Sequence, residues 1–253
     1  MERSKEEHRN YLGSYEIDPA QLKFAFQPIW DVRTNPISIY GYECLMRPYG
    51  NLPMSYIWAY EKAGRLNEIE EMTAYYGAKA FLDAKLEGMI FLNSFPSTCM
   101  SLQRAYETEC MCDTRLIDRM VIEILEYTKH DDFSWQVKKR AFEAAGVHPR
   151  YALDDFGTGE NQDLECIHRY HPDLVKIDRK YISNIDSDPV KQHIVKTMVL
   201  KGHHDGIEIL AEGVERKEEY DYLLPLVDYM QGFYLGKPKI YESAHTTVAP
   251  TAS

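Results

Sequence analysis

The chain has 253 residues, 44% of them hydrophobic, enough to bury one large core or two small ones. A formal net charge of −11 excludes a general binder of DNA or RNA, which needs an accessible basic surface. It does not exclude a small phosphate ligand, because bound divalent cations can reverse the sign of a local pocket. No apolar run reaches the length of a bilayer span, and the charged start MERSKEEHRN lacks a secretory core. Cys44, Cys99, Cys110, Cys112 and Cys166 form an odd, scattered set. The expected setting is the reducing cytoplasm, with no membrane and no nucleic-acid polymer as partner.

Residues 1–20 read as an N-terminal extension. Eight short apolar runs follow: FAFQPI from Phe24, ISIYGYECLM from Ile37, MIFLNS from Met89, VIEIL from Val121, YALDDF from Tyr151, LVKID from Leu174, IEILAEG from Ile207 and YMQGFY from Tyr229. Only DVRTNP separates the first two, a hairpin connection too short for a parallel crossover, so those strands are expected to be antiparallel. From the second run onward the intervals are long enough for helices. The segment MSYIWAYEKAGRLNEIEEMTAYYGAKAFLDAKLEG has the period of one or two amphipathic helices ending near Gly88. Repeated strand and helix favour an α/β fold, with a TIM-like eight-stranded barrel over residues 21–240 as the leading architecture. The polar stretch 241–253 reads as a mobile tail.

Polar residues recur where these runs close: Glu43, Asn93, Glu123, Asp154, Asp155, Lys176, Glu212 and Gln231. In such a barrel the carboxyl ends of the strands share one face, where side chains from distant segments meet. Oxygen donors gathered there suit hard cations, and the lack of clustered Cys and His disfavours zinc. Cys110-Met-Cys112 has no second close pair to complete a zinc site. Asp154-Asp155 is a puzzle on a regular strand, because neighbouring side chains point to opposite faces and one carboxylate would enter a packed layer. Convergence on a cation at the strand end removes it. Alternation in ISIYGYECLMR puts Ile37, Ile39, Gly41, Glu43, Leu45 and Arg47 on one face. Taken singly, each signal has an ordinary reading: Glu43 as an acid paired with Arg47, Lys176 as a snorkelling lysine, AEGVE as a helix start. The ensemble favours a site.

In this order the motifs resemble those of the EAL-domain family of cyclic di-GMP phosphodiesterases, from QPIW at Gln27 to QGFYLGKP ending at Pro238. YECLMR stands at the glutamate-alanine-leucine motif with Cys44 in place of alanine, and FLNS, VIEILE, ALDDFGTG, LVKIDRKYI and ILAEGVE follow in family order. The resemblance implies a barrel whose first strand is antiparallel, and a metal-dependent enzyme that opens cyclic di-GMP to linear pGpG with two Mg²⁺ or Mn²⁺ ions. Carried over by position, Glu43, Asn93, Glu123 and Asp154 would hold metal, with Asp155 and Glu212 contributing to the second ion. Lys176 would contact the attacking water or the reacting phosphate, with Gln27 and Arg47 as substrate contacts and Gln231 on the polar rim. Glu126 would anchor the loop after Asp155, and Glu215 would orient Lys176 or its neighbours. A homodimer through that loop is also implied.

The chain departs from the family at several positions: ENQDLECI follows DFGTG where small polar residues are common, Pro48 replaces a tryptophan and Leu125 a threonine. None removes a metal ligand. The competing reading is a catalytically weak or inactive EAL domain that serves as a cyclic di-GMP receptor or interaction module.

Overall fold

The eight apolar runs are the strands of a closed barrel. The computed structural model describes residues 12–99, 116–126, 129, 131–161 and 164–241. Cys110-Met-Cys112, residues 162–163 of the loop after Asp155 and the tail at 242–253 lie outside the described residues. Strands β1 (Leu22–Asp31) and β2 (Ser38–Pro48) form the expected antiparallel hairpin, with Gln27 opposite Glu43. β3 (Met89–Ser94), β4 (Met120–Ile124), β5 (Arg150–Phe156), β6 (Leu174–Ile177), β7 (Glu208–Ala211) and β8 (Tyr229–Met230) follow β2 in parallel. Antiparallel pairing of β8 with β1 closes the ring. A ninth short strand, β9 (Lys239–Ile240), adds to the outside of β1 beside Ala25 and Phe26.

Helix α1 (Met54–Lys62) buries Ile57 and Tyr60, and α2 (Leu66–Met72) buries Leu66, Ile69 and Glu70. A π-helical stretch (Thr73–Gly77) joins α2 to α3 (Ala78–Asp83), so the segment read as one or two helices has two breaks. Gly77 is needed there, because a Cβ would stand 2.6 Å from Cys44 Sγ. The remaining helices are α4 (Asp132–Ala144), α5 (Leu164–Tyr170), α6 (Arg179–Ile182), α7 (Pro189–His204) and α8 (Lys217–Leu223). Aspartates cap three of them, satisfying first-turn amides: Asp131 on α4, Asp178 on α6 and Asp188 on α7. Leu12 and Ile17, from the stretch read as an extension, are buried with the helices that cover β1–β4, and the Ile17 amide donates to Tyr60 Oη at 3.0 Å.

Inside the barrel, Ile29, Phe91, Val121, Ala152, Leu174, Leu210 and Tyr229 make one buried apolar cluster. Side chains alternate along a strand, so the residue two positions on returns to the same inward face. The parity expected for β2 fails at one point. The register slips between Ile29 and Trp30, leaving Tyr40 as an extra residue, so Tyr40 turns inward onto Tyr229 (centroids 4.1 Å) while Ile39 is exposed.

At the amino-terminal end of the parallel strands this aromatic pair is capped by charge. Arg33 reaches Asp31 (2.7 Å) and Glu208 (2.8 Å), and Arg150 reaches Glu208 (2.5 Å) and the Tyr40 hydroxyl. Burial works to raise the Glu208 pKa, but hydrogen bonds from Arg150 and Arg33 hold it below its ordinary 4.5. Stability from a depressed carboxyl is present above the unfolded-state pKa and is lost as pH falls through the folded-state one. Glu208→Gln is therefore expected to cost about 2 kcal/mol at neutral pH. Urea denaturation should show that deficit shrinking below about pH 4.

Candidate active site

Two positions beyond the inner apolar cluster, the strands present a ring of polar groups. Phe91 leads to Asn93, Val121 to Glu123, Ala152 to Asp154, Leu174 to Lys176, Leu210 to Glu212 and Tyr229 to Gln231. On β1, which runs the other way, Ile29 leads back to Gln27. At the centre is Lys176, 1% exposed, with Nζ 2.6 Å from Glu123 Oε1, Asp154 Oδ1 and Glu212 Oε1. Burial alone would lower the Lys176 pKa, but the surrounding Asp154, Glu123, Glu212 and Glu43 carboxylates hold it well above its ordinary value. The same burial, with neighbouring carboxylates, pushes Glu123 and Glu212 well above the usual range against the pull of Lys176.

The Asp154-Asp155 puzzle resolves in the backbone. Asp155 has a φ of 44°, the left-handed region, and the β5–β6 register shifts between Leu153 and Phe156. Alternation is broken there, so carboxylate oxygens of Asp154, Asp155 and Glu212 converge to within 4.8 Å of one another. Asparagine and aspartate tolerate this conformation better than other residues with a side chain. Thr158 secures the turn by donating from its amide (3.0 Å) and hydroxyl (2.8 Å) to the Asp155 carbonyl. Burial, and then the Asp154 charge, push the Asp155 carboxyl up to about 8.

Glu43 accepts from Gln231 Nε2 at 2.7 Å, joining the two ends of the ring. Gln27 donates to the Gly236 carbonyl at 3.1 Å, and Arg47 to the Met46 carbonyl at 2.9 Å. Glu43, Arg47, Asn93, Glu126, Asp154 and Asp155 line one cleft. Glu126 packs against the loop after Asp155: a Cβ on Gly159 would stand 2.6 Å from its carbonyl oxygen. Glu215 holds Arg179, on the segment that follows Lys176, and not Lys176 itself. Its carboxylate accepts from Arg179 at 2.6 Å, and Lys176 draws its partners from the strand ends instead. Asn161, read only as a departure, is fully buried and ties the loop down by donating to the Ile124 (2.9 Å) and Asp154 (2.7 Å) carbonyls. No local pattern marks that role, because both acceptors are backbone groups on other strand ends.

The donor set fits a hard cation. It is made of carboxylates and carboxamides, and Glu123 Oε2 and Gln231 Oε1 are buried with no hydrogen-bond partner among the described residues. Unpartnered buried oxygens are costly, and a cation would satisfy them.

A closed barrel with an antiparallel first strand and an oxygen-rich ring at its carboxyl end defines the class. The EAL domain family model matches residues 14–238, and the chain belongs to that family. It is 40% identical over 91 residues to the "Probable cyclic di-GMP phosphodiesterase PdeG" of Escherichia coli K12, spanning 36% of this chain and 18% of that relative. It is 30% identical over 141 residues to the "Cyclic di-GMP phosphodiesterase PdeL" of the same organism, spanning 54% of this chain and 39% of that relative. The matches thus cover less than half the length of these relatives. The crystal structure of a standalone versatile EAL protein from Vibrio cholerae O395, in its c-di-GMP-bound form, superposes with a TM-score of 0.72 at 28% identity. That alignment covers 88% of this chain and 93% of the other. Among the described residues, no helix is long and apolar enough to cross a membrane.

Removing the central ammonium tests the electrostatics. Lys176→Met leaves buried carboxylates uncompensated and is expected to cost about 3–5 kcal/mol at pH 8 without metal. The deficit should shrink as pH falls, because burial and neighbouring carboxylates raise Glu123 and Glu212 so that they take up protons readily and their mutual repulsion ends. Chemical denaturation at pH 8 and at a lower pH checks both statements.

Proposed function

We propose that the chain is a metal-dependent phosphodiesterase that hydrolyses cyclic di-GMP to linear pGpG in second-messenger signalling. The observation that carries this reading is the ring around Lys176, with Glu123, Asp154 and Glu212 each 2.6 Å from its ammonium. Relatives named cyclic di-GMP phosphodiesterases and a c-di-GMP-bound structural relative support the substrate.

In this reading Glu43, Asn93, Glu123 and Asp154 hold one divalent cation, and Asp155 and Glu212 contribute to a second, Mg²⁺ or Mn²⁺ suiting the oxygen donors. Such a pair supplies charge neutralisation at the phosphate and a water of lowered pKa. Arg47, on the cleft wall, and Gln27, opposite Glu43 on β1, contact the substrate. Lys176 places its positive charge beside the attacking water or a non-bridging phosphate oxygen, its position fixed by three carboxylates. Asp155 or Glu212 takes one proton of that water. Its oxygen bonds to phosphorus, the phosphorus–O3′ bond breaks, and the 3′ oxygen takes up that proton to leave as a hydroxyl, so water is consumed and a 5′-phosphate remains. The homodimer through the loop after Asp155 and the cytoplasmic setting belong to the same proposal.

Purified protein incubated with cyclic di-GMP and Mn²⁺ should yield pGpG, resolved by chromatography. Glu43→Ala should lower the rate by roughly 100-fold or more. Tight nucleotide binding without product from the wild type would replace this reading with the receptor one.

Cation binding should depend on pH. A carboxyl pushed up to about 8, as Asp155 is, must lose its proton to ligate. Mn²⁺ affinity is therefore expected to rise between about pH 6 and about pH 9. Calorimetry in buffers of different ionisation enthalpy should register proton release on binding, and affinity that is flat with pH would contradict the assignment.

A further inference from the structure

A second buried charge cluster lies behind the ring, and the chemistry above makes no use of it. Lys138 of α4 is 0% exposed and Glu70 of α2 is 3% exposed, with Nζ and Oε1 2.6 Å apart. Both reach the chain that leaves β3. Lys138 donates to Ser94 Oγ (2.7 Å), the Phe95 carbonyl (2.8 Å) and Thr98 Oγ1 (3.3 Å). Glu70 accepts from Ser94 Oγ (2.7 Å), the Phe95 amide (3.3 Å) and the Thr98 hydroxyl.

Buried ion pairs are weak sources of stability, since well-packed apolar replacements are often as stable or more so. What this pair provides is geometry. Its two helices lie on either side of β3 in the sequence, and among the described residues its additional hydrogen bonds fall between Ser94 and Thr98. Ser94 is buried on the outward face of β3, and the preceding residue, Asn93, points inward to the cleft. Among the described residues nothing bonds the Asn93 carboxamide, so the backbone that carries it sets its direction. The Ser94 carbonyl in turn accepts from the Leu125 amide (3.1 Å), linking this segment to the end of β4, where Glu123 sits.

We infer that Glu70 and Lys138 are positioning residues: by gripping Ser94, Phe95 and Thr98 they fix the Asn93 carboxamide at the cation-facing end of β3. This rests on the proposed function, in which Asn93 is a cation ligand.

The test compares Glu70→Gln, Lys138→Met, the double variant Glu70→Leu/Lys138→Met and Thr98→Val with wild type. Readouts are melting temperature, Mn²⁺ affinity by electron paramagnetic resonance, and kcat and KM for cyclic di-GMP. Each charge-breaking single variant should melt lower and bind Mn²⁺ roughly 10- to 100-fold more weakly. The double variant should regain the wild-type melting temperature without regaining Mn²⁺ affinity, and kcat should fall more than KM changes. Thr98→Val keeps the ion pair and the side-chain shape, and should still lose about tenfold in Mn²⁺ affinity. Wild-type Mn²⁺ affinity in the folded double variant or in Thr98→Val overturns the inference, because the pair would then be structural only. A wild type that binds Mn²⁺ but releases no pGpG fails the phosphodiesterase reading alone, and the Mn²⁺ affinities of the variants still decide the positioning role. A wild type that binds no Mn²⁺ overturns both.

Discussion

A lysine ammonium excluded from water and met by three carboxylates is the interaction on which the upper half of this barrel depends. Neither partner survives alone: an isolated ammonium or carboxylate at such depth would give up its charge. Because Glu123, Asp154 and Glu212 come from β4, β5 and the end of β7, the ammonium on β6 binds neighbouring and non-neighbouring strands together at one height. The same geometry leaves Glu123 Oε2 without a partner among the described residues. The cluster is therefore held together yet incomplete, which is the condition for a site that accepts a cation rather than a finished salt-bridge core.

The strand alternation that makes this ring also made most of it legible. A polar residue two places beyond an inward apolar one keeps the same face, and six parallel strands repeat the step from cluster to ring. The hairpin of β1 and β2 could be read because DVRTNP is too short for a crossover. Where backbone departs from regularity, the sequence carries little signal. The extra residue at Tyr40 moves Ile39 out of the face assigned to it, and nothing local distinguishes YG from an ordinary pair in alternation. The left-handed Asp155 and the π-helical Thr73–Gly77 are set by tertiary packing in the same way. Nothing local in the sequence marks Glu70 or Lys138, and only distant partners pair and bury them.

The two ends of the barrel handle charge differently. At the amino-terminal end Arg33 and Arg150 meet Asp31 and Glu208, and the stacked Tyr40 and Tyr229 seal the interior above them. Each guanidinium there is paired with carboxylates, Arg33 also reaching Asp228 at 3.8 Å, which gives a closed plug. At the carboxyl end, Glu43, Glu123, Asp154, Asp155 and Glu212 are set against the single ammonium of Lys176. The imbalance confines the unsatisfied charge to the end where long loops and the cleft provide access.

That imbalance bears directly on the anionic substrate proposed. A ring of acids beside one ammonium and the Arg47 guanidinium offers a phosphodiester little attraction, and a chain of net charge −11 gives little relief from its surface. Two divalent cations would add four positive charges in the centre of the ring, turning that mouth into an anion site. The acids are then not substrate contacts at all. Their number is set by the charge they must hold, while direct contact with the phosphate falls to the cationic and amide groups beside them, Lys176, Arg47 and Gln27. Substrate affinity on this reading is conditional on cation occupancy, so any change that disturbs ligand geometry, even from behind β3, acts on the nucleotide through the metal rather than by touching it.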